Sequence, residues 1–166
     1  LWAPSRVPEV NSREVPKWME AADIAAVVGG FAASARSAVE AGCDGVELNA
    51  GQHSLIRQFL SGLTNHRDDA WGGDGRTRFA TEVIDAVRAA MGPQPLLGLR
   101  LSCDELAPWA GITPEQAPEL AAALCASGAV DYVCVVRGAI FSVEKTRADV
   151  HEPELYNLDV CRAVRA

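Results

Sequence analysis

Three short apolar runs, Gly45–Leu48 (GVEL), Leu96–Leu101 (LLGLRL) and Asp131–Val136 (DYVCVV), lie much further apart than a hairpin turn allows. The chain between them has helical periodicity. Strands joined by helices pair in parallel, because only a crossover connection returns the chain to the same end of the sheet. Ile24, Val27, Val28, Phe31, Ala35, Ala38 and Val39 repeat at helical spacing from about Ala21 and stop before Gly42. A short helix is expected over Leu55–Leu60, and a longer one around Phe79, Val83, Ile84 and Val87, closed by Gly92 and Pro93. Thr113–Pro114–Glu115–Gln116 reads as a capping box with proline at the first helical position, starting a helix that runs to about Ser127 before Gly128. A last helix begins near Leu158. The proline-bearing opening, Leu1 to about Trp18, and the polar stretch from Ser61 to about Arg76 show neither period and are expected as an arm and a loop.

The pleat of the strands sharpens this picture. Glu47 and Asn49 share one face of the first strand, opposite Val46 and Leu48. Gly98, Arg100 and Ser102 share a face of the second, opposite Leu97, Leu99 and Leu101. A parallel strand covered by helices on both sides is apolar on both; these have one apolar face and one face of Glu, Asn, Arg and Ser. A β/α barrel accounts for that, since its interior turns polar toward the strand C-termini, where such barrels do chemistry. A closed barrel takes about 250 residues and eight strands, whereas 166 residues carry three strands here. The expected fold class is therefore α/β: a partial (β/α)8 TIM barrel with about three parallel strands and outer helices. Residues 1–166 would form a single partial domain, the middle of a longer chain.

Composition narrows the partners. Fifteen basic against 22 acidic residues give a net charge of −7 without any Lys/Arg run, which argues against nucleic acid. No uncharged apolar run approaches the ~18–20 residues of a membrane span, so a membrane partner is not expected. Five cysteines (Cys43, Cys103, Cys125, Cys134 and Cys161) contain no C-x-x-C pair. Neither a zinc site nor an iron–sulfur motif is supported within this segment. Buried, reduced thiols in a cytoplasmic protein are the expectation.

The run GCDGVELNAGQHSLIRQFLSGLTNHRDDAWGG (Gly42–Gly73) resembles the flavin-dependent old yellow enzyme family, including its 2,4-dienoyl-CoA reductase branch. The resemblance rests on G-x-D-G-V-E-L at Gly42–Leu48, Q-F-L-S at Gln58–Ser61, and N-x-R-x-D-x-W-G-G from Asn65 to Gly73. It continues through Arg100–Leu101–Ser102 with Asp104–Glu105, and through Gly128–Val133. NAGQHSL is also similar to the mycofactocin-associated branch. The stretch GGDGRTRF is shorter than the family's usual one, and Arg137–Val143 has no histidine where the dienoyl-CoA reductases carry one. The resemblance implies an FMN-binding (β/α)8 barrel of which this chain is roughly the fourth to sixth β/α units. It also implies NAD(P)H as reductant and an alkene conjugated to a carbonyl or acyl-CoA-like thioester as substrate.

That chemistry needs a donor to the carbonyl oxygen, where negative charge develops, and a proton for the α-carbon. The positions matching the family's two donors and its tyrosine are Asn49, Gln52 and Ser54. Both amides can donate. Ser54 is a far weaker acid than a phenol, and adjacent His53, which titrates near neutrality, is the substitute proton donor. Asn49 and Gln52 could equally cap the loop after the strand. Arg100 matches the arginine beside the flavin's pyrimidine edge; a buried ion pair with Glu47 is the plainer reading, and the two are compatible. The chain thus reads as a fragment of an FMN-dependent NAD(P)H oxidoreductase reducing conjugated C=C bonds, inactive alone. The alternative is a non-catalytic α/β binding or interaction module on the same scaffold.

Overall fold

The computed structural model describes residues 1–139, 142–147 and 149–165. Two short strands, β1 (Trp2–Ala3) and β2 (Lys17–Trp18), precede α1 (Ala21–Glu40), β3 (Gly45–Ala50) and α2 (Leu55–Leu60). Then follow α3 (Arg78–Met91), β4 (Leu96–Asp104), α4 (Ala117–Cys125), β5 (Tyr132–Arg137) and α5 (Leu158–Arg165). β3, β4 and β5 form a parallel three-stranded sheet in that order, pairing Gly45 with Leu96 and Gly98 with Tyr132. The chain is a run of β/α units arranged as in part of a (β/α)8 barrel.

The apolar sheet face is the core. Leu97, Leu99 and Leu101 of β4 are fully buried, with Leu48 beside them and Phe79, Val83, Ile84 and Val87 from α3. The Phe59 and Phe79 rings stack at 4.2 Å, joining α2 to α3. Each such side chain contributes about 1.5–3 kcal/mol by leaving water. α1 packs mainly on α3, turning Ile24, Val27, Val28, Phe31, Ala35 and Val39 inward. By length and composition alone α1 is apolar enough to cross a membrane. A reciprocal capping box between Glu20 and Asp23 starts it.

At the N-terminal ends of the strands, Asp131 accepts from the Leu97 N–H at 2.7 Å and from Arg88 at 2.6 Å. Arg88 also donates to the carbonyls of Ala129, Gly92 and Pro95. This knot ties α3 and the starts of β4 and β5 together.

Four expectations need correction. The opening arm is not wholly irregular, since β1 and β2 pair in parallel. α4 starts at Ala117, four residues after Thr113; the Thr113–Gln116 segment is a turn in which the Gln116 side chain accepts from the Thr113 N–H at 3.4 Å. The strands run further than expected, β4 reaching Asp104 because Ser102 and Asp104 still pair with Val136 and Arg137 of β5, across a shift of register between them. Only Cys103 of the five cysteines is buried, whereas Cys43 is exposed in the turn after α1. Within the loop after β5, a 3-10 turn spans Val143–Thr146.

Candidate active site

The polar sheet face carries Glu47 and Asn49 from β3, Arg100 and Ser102 from β4, and Tyr132 and Cys134 from β5. In register, Asn49 lies beside Arg100 and Arg100 beside Cys134. The Arg100 Nε and Nη2 both lie 2.7 Å from the Glu47 Oε1. The pair is half-exposed rather than buried: the side chains are 44% and 25% accessible. Tyr132 donates its hydroxyl to the Glu47 Oε2 at 3.2 Å. The tyrosine ring can cross β4 because residue 98 is glycine; a Cβ there would collide with the ring. The bond to Glu47 raises Arg100 above the ordinary arginine value. Partial desolvation, then the same carboxylate, push the Tyr132 phenol up.

The loop after β3 folds back over this face. The Asn49 Oδ1 accepts from the Gly51 N–H at 2.9 Å, leaving its amide nitrogen to donate elsewhere. Gly51 packs so closely that a Cβ would meet Asn49, Val136 and Arg100 within 3.5 Å. Gln52 is half-buried, and His53 is exposed with a left-handed backbone (φ 61°). Ser54 is the N-cap of α2: its Oγ donates to the Gly51 carbonyl at 2.7 Å and accepts from the Arg57 N–H at 3.1 Å. Asn49 at the C-terminal end of β3 and Gln52, His53 and Ser54 in the turn that follows are thus brought together. Arg100 stands across from Asn49 on β4.

A second cluster underpins that turn. Glu105 is 1% exposed. Its carboxylate accepts from Arg57 and Ser61 at 2.5 Å each and from the Ile112 N–H at 2.8 Å. Arg57 and Glu105 are a buried ion pair that fixes α2 against the loop after β4. Sequence reasoning placed Glu105 in a motif without giving it a role. The available signal was Arg57, the one charged residue in the LIRQFL helix. Further along, Arg67 donates to the carbonyls of Pro4 and Met19 and to Asp69, with the Trp18 ring 4.2 Å away. A cleft of about 620 Å³ opens between the arm and α2, lined by Trp2, Val7, Pro8, His53, Arg57 and Trp109, among others. Among the described residues, no group of His, Cys, Asp and Glu side chains forms a metal site.

Polar side chains gathered at the C-terminal ends of parallel strands, over a core of outer helices, mark the end of a β/α-barrel domain where such folds do chemistry. The profile of the NADH:flavin oxidoreductase / NADH oxidase family matches residues 3–160, and the chain belongs to that family. It is 40% identical over 152 residues to the N,N-dimethylglycine/sarcosine dehydrogenase of Chromohalobacter salexigens, covering 90% of this chain and 22% of that protein. It is 47% identical over 90 residues to a probable flavin mononucleotide-dependent alkene reductase of Leishmania infantum, covering 53% of this chain and 24% of that one. Among solved structures it is similar to a 2-naphthoyl-CoA reductase complex: TM-score 0.84 and 26% identity, over 98% of this chain and 25% of the other. The chain spans about a fifth of the length of the first two curated relatives it matches.

Proposed function

We propose that this chain is part of an FMN-dependent oxidoreductase that oxidises NAD(P)H and reduces a C=C bond conjugated to a carbonyl or thioester. The observation that carries the reading is Arg100. Two of its guanidinium nitrogens are turned to Glu47, and the third has no hydrogen-bond partner among the described residues. One cation with one guanidinium nitrogen open, beside the free amide of Asn49 and under a glycine-tight loop, fits one edge of a flavin. When bound, FMN supplies the hydride that the alkene receives. Arg100 holds a fixed positive charge where the reduced cofactor is anionic. Asn49 and Gln52 orient the substrate and donate to its carbonyl oxygen, which gains charge as the alkene is reduced. His53, exposed at the same turn, is the residue placed to deliver a proton. The Ser54 hydroxyl is engaged as a cap on both sides. The free thiols fit the cytoplasm as compartment.

A second reading has one observation in its favour. With Ser54 occupied as a cap, this turn carries no phenol, and oxidation of an N-methyl amine needs no proton delivered to carbon. The relative from Chromohalobacter salexigens is named as a dehydrogenase of such amines.

Anaerobic stopped-flow on the full-length protein separates these readings. If alkene reduction is correct, an enone or enoyl thioester reoxidises the reduced flavin. Gln52→Ala then leaves reduction by NAD(P)H nearly unchanged and slows reoxidation by about tenfold or more, since a neutral amide supplies at most the low end of the ~10²–10³ typical of one oxyanion donor. Arg100→Ala weakens FMN retention. Bleaching by dimethylglycine without NAD(P)H would establish the amine reading instead. A colourless full-length protein that takes up no FMN would overturn both in favour of a non-catalytic module.

A further inference from the structure

We propose that Glu47, held by Tyr132, is a positioning residue that aims Arg100 and sets how much of its charge a bound flavin feels; this rests on the reading that Arg100 meets the flavin. The arrangement takes one residue from each strand of the sheet. The Glu47 Oε1 receives both Nε and Nη2 of Arg100. A guanidinium is planar and its donors are fixed in a fork, so anchoring two nitrogens fixes the direction of the third. That third nitrogen is the one left without a partner among the described residues.

The other carboxylate oxygen is not idle. The Glu47 Oε2 accepts from the Tyr132 hydroxyl, which reaches it across Gly98. Glu47 is therefore gripped at both oxygens by residues of β4 and β5. An anion placed on the open side of Arg100 meets a cation already partly neutralised from behind. Removing the charge of Glu47 while keeping its shape would expose the full cation, favouring the anionic reduced flavin over the oxidised form. Removing the Tyr132 hydroxyl would do the reverse, because it leaves the carboxylate charge less dispersed and more strongly directed at Arg100.

The test is the flavin midpoint potential of the FMN-loaded full-length protein, with the dissociation constant for oxidised FMN measured by fluorescence titration. Glu47→Gln is expected to raise the ratio of reduced to oxidised FMN affinity about tenfold, equivalent to about 30 mV for a two-electron couple. Tyr132→Phe is expected to shift the potential the opposite way by a smaller amount. Arg100→Ala serves as the reference, with a negative shift and weaker FMN binding. An unchanged potential in Glu47→Gln, alongside a shifted Arg100→Ala, would overturn the proposal while leaving the Arg100 reading intact. An unchanged potential and affinity in Arg100→Ala would overturn that reading and the proposal with it. Should Glu47→Gln fail to fold, Tyr132→Phe decides: a negative shift supports the proposal and no shift overturns it.

Discussion

A carboxylate sealed from solvent persists only with its partners in place, and Glu105 has three. Glu105→Ala leaves Arg57, itself 5% exposed, as a buried charge without compensation. The expected loss is about 3–5 kcal/mol, read as a lower urea midpoint, with Glu105→Gln losing less because its amide still accepts from the Ile112 N–H. Asp69 gives a pH prediction. The Arg67 guanidinium holds its carboxyl below the ordinary 3.8, so its contribution is complete above that pH and is lost as pH falls through the folded value. Melting temperature should therefore fall in the acid range, and less steeply in Asp69→Asn. The thiols divide as well: burial pushes Cys103 up to about 12, whereas Cys43 is exposed. A thiol reagent should label Cys43 at once and Cys103 only on unfolding, followed by mass spectrometry. At this scale the sequence was partly legible. The turn from Asn49 to Ser54 and the Glu47–Arg100 pair could be read from spacing and pleat. Ser54 as a cap also had a local signal, a serine just before an apolar run. The role of Glu105 had only an indirect signal, the charge of Arg57 within its helix, because its partners Arg57 and Ser61 lie 48 and 44 positions away.

Among the elements, the three main strands and the helices were readable because each has a period that burial enforces. β1 and β2 were not, since two residues carry no period; backbone bonds from Lys17 to Leu1 and from Met19 to Ala3 join them, and Arg67 gathers the Pro4 and Met19 carbonyls just beyond. Glycines make the contrast between local and tertiary demands measurable. Gly29 and Gly30 lie within α1, and a Cβ added at either would have nothing within 4 Å, so each change to alanine should stabilise the helix by up to about 1 kcal/mol. At Gly72 a Cβ would collide with the Arg67 carbonyl oxygen. Gly72→Ala should therefore disrupt the loop after α2, and comparative denaturant midpoints would show opposite signs at the two sites.

For the whole molecule, the described sheet ends at β3 on one side and β5 on the other, each with one edge unpaired within it. Unpaired parallel edges template pairing with other chains. The 166-residue chain produced alone is expected to self-associate, and size-exclusion chromatography with light scattering would reveal it; a well-behaved monomer would contradict the expectation. Barrel membership was legible from one-sided strand polarity, but the substrate was not, because specificity depends on which side chains face the cleft and that is fixed by tertiary approach. The Arg67 clasp has a consequence for the order of assembly. Its guanidinium joins the Pro4 carbonyl, 63 positions upstream, to that of Met19, 48 upstream, so neither contact is worth forming until the loop carrying Arg67 is itself in place. Distant closures of this kind are slow to form, so the arm should settle no earlier than that loop. With Trp2, Trp71 and Trp109 replaced by phenylalanine, the indole of Trp18, which meets that guanidinium only in the finished arm, would act as a clock, its fluorescence reporting when the arm docks.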